Sequence, residues 1–196
     1  MMEIYFKKAL VLLMPIYFII SCQNVKGEKQ IDSIKNQNNG ILDEKLLIPD
    51  SLRIYAPFNN YISDSLEISN ANFKIYSIIN SSCITCISNI KLWNSIIVEF
   101  KKYEVPVILI CESDDEFELM KYLCESRKIN DFSYPFFLDE RREWFKLNKF
   151  MKNDDDFNTV LTDVNNKVIL KGNPLYSKEI KGLYINKIKG EFKMLH

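Results

Sequence analysis

The 196-residue chain sets 26 lysines and arginines against 26 aspartates and glutamates, with 47% hydrophobic and 27% charged residues. That balance suits one globular domain with an appendage, and the lack of a basic excess argues against a nucleic-acid partner. Five glycines form no phosphate-cradling loop, and the single histidine, His196, ends the chain, so a Ser-His-Asp triad or a Cys-His pair has no positioned imidazole.

The first segment reads as an address. Lys7 and Lys8 precede the apolar run of residues 9–20 (ALVLLMPIYFII), which is shorter than the roughly 20 residues that span a bilayer and holds Pro15. The run ends in Ile19-Ile20-Ser21-Cys22. This resembles the bacterial lipoprotein signal, in which a small residue precedes a cysteine that is lipidated and becomes the mature N-terminus. Ile19 stands where that signal usually has Leu. The resemblance implies lipidation of Cys22 and attachment to a membrane of the cell envelope. Gln23, rather than Asp, next to the cysteine points by the usual sorting pattern to the outer membrane facing the periplasm. Residues 23–40 are polar and cannot bury enough surface to offset their ordering entropy, which predicts a flexible tether. Residues 41–72 form an N-terminal extension, in which 45–48 and 52–56, split by Pro49-Asp50, read as two short strands paired as a β hairpin.

From residue 73 onward strands and helices alternate, which predicts a domain over 73–196. Residues 73–80 (FKIYSIIN) are apolar enough for a mostly buried strand. Ile87, Ile90, Trp93, Ile97 and Phe100 then recur at helical spacing. A second buried strand covers 105–111. Ser113 and Glu116 read as a capping box opening the next helix, which carries Phe117, Met120 and Cys124 on one face. A short third strand is expected over 134–138, a third helix over 140–150, a hairpin with strands 159–162 and 167–170, and a closing helix over 177–192. Such alternation predicts an α/β fold of three layers, a mixed central sheet with helices on both faces.

Cys83 and Cys86 fall where the first core strand passes into its helix. A helix N-terminus offers unpaired N–H groups and a positive dipole end, both of which favour a thiolate. A spacing of three puts the second sulfur within disulfide reach of the first. The first thiol can then attack a partner's disulfide, and the second can resolve the mixed disulfide.

Strand, Cys-x-x-Cys at the helix start, βαβα, hairpin and helix resemble the thioredoxin-like superfamily, and with the lipoprotein signal most closely its extracytoplasmic TlpA/redoxin-type branch. The resemblance implies a membrane-tethered thiol:disulfide oxidoreductase acting on protein thiols and disulfides. It implies no cofactor beyond the cysteines and a redox partner that resets them. By the family's pattern Cys83 is the exposed nucleophile and Cys86 the buried resolving thiol. Three positions depart from that pattern. Ser82 replaces the usual aromatic before the first cysteine, and Ser77 stands where many members keep a buried acid. Asn158, in the substrate-groove loop Asp156-Phe157-Asn158-Thr159, stands where the family has a cis-proline.

These departures favour a second reading, a non-catalytic binding lipoprotein on the same fold. Some relatives direct the first cysteine at peroxides, and coupling of Cys83 to Cys111 or Cys124 would be the sign of that. A static disulfide is a further reading of the pair, although so small a loop adds little stability. A structural zinc site would need Cys111, Cys124 or His196 as further ligands, and the two cysteines read more simply as small core residues, so no metal is expected. Asp154-Asp155-Asp156 lacks the spacing of an EF-hand and reads as a solvated loop.

Overall fold

The computed structural model describes residues 44–195 apart from 60, 63, 64, 130 and 152–157. The apolar run 9–20, Cys22, the tether 23–40 and the Asp154-Asp155-Asp156 run lie outside the described residues. The elements in chain order are β1 (Arg53–Tyr55), α1 (Ser65–Asn70), β2 (Phe73–Asn80), α2 (Ile84–Lys101), β3 (Val107–Glu112) and α3 (Glu118–Glu125). There follow β4 (Phe136–Leu138), α4 (Trp144–Leu147), a 3-10 turn (Lys149–Met151), β5 (Thr159–Asp163), β6 (Val168–Lys171) and α5 (Lys178–Leu195).

Seven consecutive buried residues in β2 and five in β3 mark strands covered on both faces. β2 runs parallel to β3, with Ile75 opposite Val107 and Ile79 opposite Cys111, and β3 runs parallel to β4. Parallel pairs need crossovers, which α2 and α3 supply. β5 returns antiparallel to β2 and β6 antiparallel to β5, completing a mixed sheet in the order β1-β4-β3-β2-β5-β6. The β5–β6 turn forms as its sequence suggests, with the Asp163 carboxylate accepting from the amides of Asn165 and Lys167 at 2.8 Å each.

α2 forms because its apolar residues fall on one stripe. Ile87, Ile90, Trp93, Ile96, Ile97 and Phe100 are buried, and each fully buried side chain of this kind contributes roughly 1.5–3 kcal/mol. Phe100 meets Tyr184 of α5 edge to face at 6.3 Å, and Glu99 pairs with Lys181 at 2.8 Å, so these two helices share a layer. Trp144 of α4 lies against Tyr76 of β2, with ring centroids 5.9 Å apart.

The N-terminal extension departs from expectation. Segments 45–48 and 52–56 do not pair with each other. Lys45 bridges Lys167 beside β6, and Arg53–Tyr55 runs antiparallel to β4 at the opposite edge of the sheet. The chain between them crosses the fold as a strap. Buried Leu46 donates its amide to Asn166, and Leu47 exchanges two 2.8 Å bonds with the Asn148 side chain. The strap buries Leu46, lays β1 along the edge of β4 and bridges the chain entering β6.

The helix expected over 140–150 is also broken. Arg142 takes a left-handed φ of 53°, and the buried Asp139 carboxylate accepts from the amides of Glu143 and Trp144, so the helix starts only at Trp144. It stops at Asn148, whose side chain serves the strap. The short helix α1 has no counterpart in the sequence reading.

Candidate functional site

The chain leaves β2 at Asn80 and turns sharply into α2. Ser81 is fully buried, with its amide and hydroxyl both donating to the carbonyl of Glu112 at the end of β3. The Asn80 side chain accepts from the amide of Ser82. Cys83 then caps the helix in an extended conformation (φ −114°, ψ 112°), and its Sγ accepts from the amide of Cys86 at 3.3 Å. The helix N-terminus thus points one of its open N–H groups at the first sulfur, the arrangement that favours a thiolate. Cys83 and Cys86 are joined as a disulfide, with Cα atoms 5.2 Å apart. Both residues are half-buried, so the division into an exposed and a buried thiol does not separate them in this oxidised form. Ile84 between them is 61% exposed, which leaves the dithiol at a surface.

Ser82 is tied across to the loop after β3. Its hydroxyl donates to Asp115 Oδ1 at 2.7 Å and accepts from the amides of Asp114 and Asp115 at 2.8 and 3.2 Å. Ser113 joins in, donating to the same Asp115 oxygen at 2.6 Å. These hydrogen bonds, from Ser113 first and Ser82 after it, hold the Asp115 carboxyl below the usual carboxylate range. The capping box expected at Ser113 and Glu116 is not what forms. Glu116 and Phe117 both have left-handed φ, the helix begins at Glu118, and Asp115 Oδ2 caps the amide of Leu119. The sequence reading passed over Asp115; its signal is a short Ser/Asp run directly after a buried strand.

Within β2, three residues before its end, Ser77 is buried and its hydroxyl meets that of Thr159 at 2.8 Å. Position 77 is therefore polar, neutral and hydrogen-bonded. Asn158 extends the β2–β5 ladder by one residue. Its carbonyl accepts from Ile78 N–H and its side-chain amide donates to Ile78 C=O, both at 3.1 Å. It thus lies against the end of β2 from which the dithiol emerges; Asp156 and Phe157 lie outside the described residues. The loop after β6 approaches the same end. Gly172, at φ 138°, donates its amide to Thr159, and the hydroxyl of exposed Tyr176 accepts from Asn89, one turn beyond Cys86.

Cys111 and Cys124 are free thiols and buried. Burial pushes the Cys111 thiol far above its ordinary range and the Cys124 thiol up to about 11, despite a hydrogen bond between Cys124 and Tyr55. Neither forms an appreciable thiolate at neutral pH. Iodoacetamide at pH 8 is expected to label Cys83 and Cys86 in the reduced folded protein and to reach Cys111 and Cys124 only in urea. Peptide mapping checks this, and native labelling of either core thiol would contradict it.

No protein-family model matches the sequence, and no curated protein matches it. Solved structures do. The thioredoxin domain of a thiol-disulfide oxidoreductase from Bacteroides vulgatus superposes with a TM-score of 0.52 over 75% of this chain and 97% of that one, at 13% identity. A putative electron transfer protein from Aquifex aeolicus gives 0.48 over 75% and 92%, at 15% identity. A putative thiol:disulfide interchange protein DsbE from Chlorobium tepidum gives 0.46 over 61% and 83%, at 17% identity. At such identities the likeness is one of fold, and it rests on the first of the three. The chain has a thioredoxin-like fold, with a Cys83–Cys86 disulfide at its strand-to-helix junction.

Proposed function

We propose that the protein is a thiol:disulfide oxidoreductase tethered to the bacterial cell envelope through Cys22, working on disulfides of other proteins. The observation that carries this reading is the Cys83–Cys86 disulfide at the N-terminus of α2, with a helix amide directed at Cys83 Sγ and the dithiol open at the surface beside Ile84. An isolated structural bridge does not need that place, whereas a thiolate does.

In the reducing direction Cys83, as thiolate, attacks one sulfur of a partner disulfide. The partner's S–S bond breaks, and its released sulfur takes up a proton. Cys86 then loses its proton and attacks Cys83 Sγ, which breaks the mixed disulfide and frees the second partner thiol. Two electrons pass from the dithiol to the partner, and Cys83–Cys86 is left oxidised. Run backwards, the same steps oxidise a partner dithiol.

The test is equilibration of the purified chain with glutathione redox buffers, read by alkylation gel shift, together with insulin reduction driven by dithiothreitol. Interconversion of the pair and insulin turnover above background support the reading. A pair inert to both reagents overturns it. Metabolic labelling with palmitate in a bacterial host tests the tether, with label expected on the wild-type chain and lost in Cys22→Ala. Absence of label on both would leave the domain untethered.

A further inference from the structure

We propose that Asp115 is a positioning residue for the dithiol: it fixes the turn into Cys83 through the Ser82 hydroxyl, and its negative charge biases the Cys83–Cys86 pair toward the disulfide. This rests on the redox reading above and deepens it.

A serine hydroxyl has one proton to give. Both serines of this cluster give theirs to the same carboxylate oxygen, Ser113 at 2.6 Å and Ser82 at 2.7 Å, distances in the range of charge-assisted bonds. The Ser82 hydroxyl accepts two backbone amides in addition, so its position is over-determined and it has nothing left to offer the sulfur beside it. Three consequences follow for Cys83. Its preceding residue is locked to a loop 33 positions away in sequence. Its thiolate gets no hydrogen bond from Ser82. An anionic carboxylate is bonded to the residue that precedes it.

Asp115 is not the sole acid at this end of the sheet. Asp114 is matched by Arg142 at 2.8 Å, and the half-buried Glu112 carboxyl is pushed upward by burial and by Asp139, with Arg142 opposing; the oxygens of Asp115 are held by two hydroxyls and the amide of Leu119. The helix amide of Cys86 draws Cys83 toward the thiolate, and the Asp115 charge opposes it. A thiolate that is less stabilised makes the reduced pair less favourable and the couple more reducing.

The experiment measures two quantities in the full chain: the glutathione equilibrium of the pair, and the pH titration of the Cys83 thiolate by ultraviolet absorbance. Asp115→Asn removes the charge but keeps an acceptor oxygen for the serines, so it tests the proposal even where Asp115→Ala does not fold. Loss of the charge is expected to shift the glutathione equilibrium about tenfold toward the dithiol, equivalent to about 30 mV for this two-electron couple, and to lower the pH at which Cys83 ionises. Asp115→Glu and Ser82→Thr, which keep charge and hydroxyl, stay near the wild-type values. If Asp115→Asn melts earlier but keeps the wild-type equilibrium and titration, the carboxylate is merely structural and the proposal fails. If the wild-type pair itself does not equilibrate with glutathione, the redox reading fails first.

Discussion

Replacing Cys83 with serine is expected to take insulin-disulfide reduction to the uncatalysed background, a loss of roughly a thousandfold or more, as for removal of a reaction's nucleophile. Cys86→Ser is expected to behave differently. The first step survives, because Cys83 keeps its place at the helix N-terminus, but the resolving thiol is gone. One partner is captured per chain and turnover stops. The reason for the asymmetry is local. The Cys86 amide reaches Cys83 Sγ at 3.3 Å, and this backbone donor does not depend on the side chain at 86. A Cys86→Ser chain should therefore accumulate as a mixed disulfide with a model substrate, and reduction should release one substrate thiol per chain. Mass spectrometry of the adduct gives the attachment site. Capture by Cys83→Ser instead, through Cys86, would reverse the assigned roles. Sustained turnover by Cys86→Ser would require another thiol to resolve the mixed disulfide, the dithiothreitol of the assay included, and the buried Cys111 and Cys124, with thiols pushed upward by burial, are poorly suited to that.

How much of this was legible in the sequence follows from how local each feature is. β2, α2 and β3 could be read because an unbroken apolar run and an apolar stripe of helical period each lie within one segment. The β5–β6 turn was legible for the same reason, since Asp163 caps amides two and four residues on. The strap was not legible. Segments 45–48 and 52–56 show strand character without showing a partner, and the choice is made by Asn148, about a hundred positions away, and by the free edges of the sheet. The capping box failed in an instructive way. Ser113 and Glu116 have the right spacing, but Ser113 is drawn into the Ser82–Asp115 cluster, and the helix start is displaced to Glu118. At the candidate site the cysteine spacing was plain, while the residue that holds Cys83's neighbour lies on another loop. Ser77, Ser82 and Asn158 were recognisable as departures. Their partners, Thr159, Asp115 and the Ile78 backbone, came only with the fold.

The Ser77 position carries the other large expected effect. Ser77→Asp puts a carboxyl into β2 at a position this chain has built for a neutral pair. Ser77 and Thr159 are 1% and 0% exposed, and their hydroxyls satisfy each other at 2.8 Å. Thr159 can donate one hydrogen bond to a carboxylate, which leaves most of its charge uncompensated. The buried group would therefore hold its proton to a higher pH than in the unfolded chain, where an aspartate titrates near 3.9. With the folded pKa raised, the protonated acid is tolerated below the unfolded value. As pH rises above that value the unfolded state ionises first, and stability falls until the folded pKa is passed. Urea unfolding is expected to show a loss of about 3–5 kcal/mol at pH 7, and a distinctly smaller loss at pH 5. Ser77→Ala supplies the comparison. It leaves the Thr159 hydroxyl with only its 3.4 Å bond to Asn158 Oδ1 and costs about 1–2 kcal/mol, with no dependence on pH over the same range. A Ser77→Asp protein as stable as wild type at pH 7 would mean that the introduced carboxylate finds a cationic or multiply donating partner absent from the present arrangement. A pH-independent loss would point instead to steric misfit between β2 and β5. The expected pattern would identify the cost of a buried charge as the reason this chain keeps serine, and not an acid, opposite Thr159.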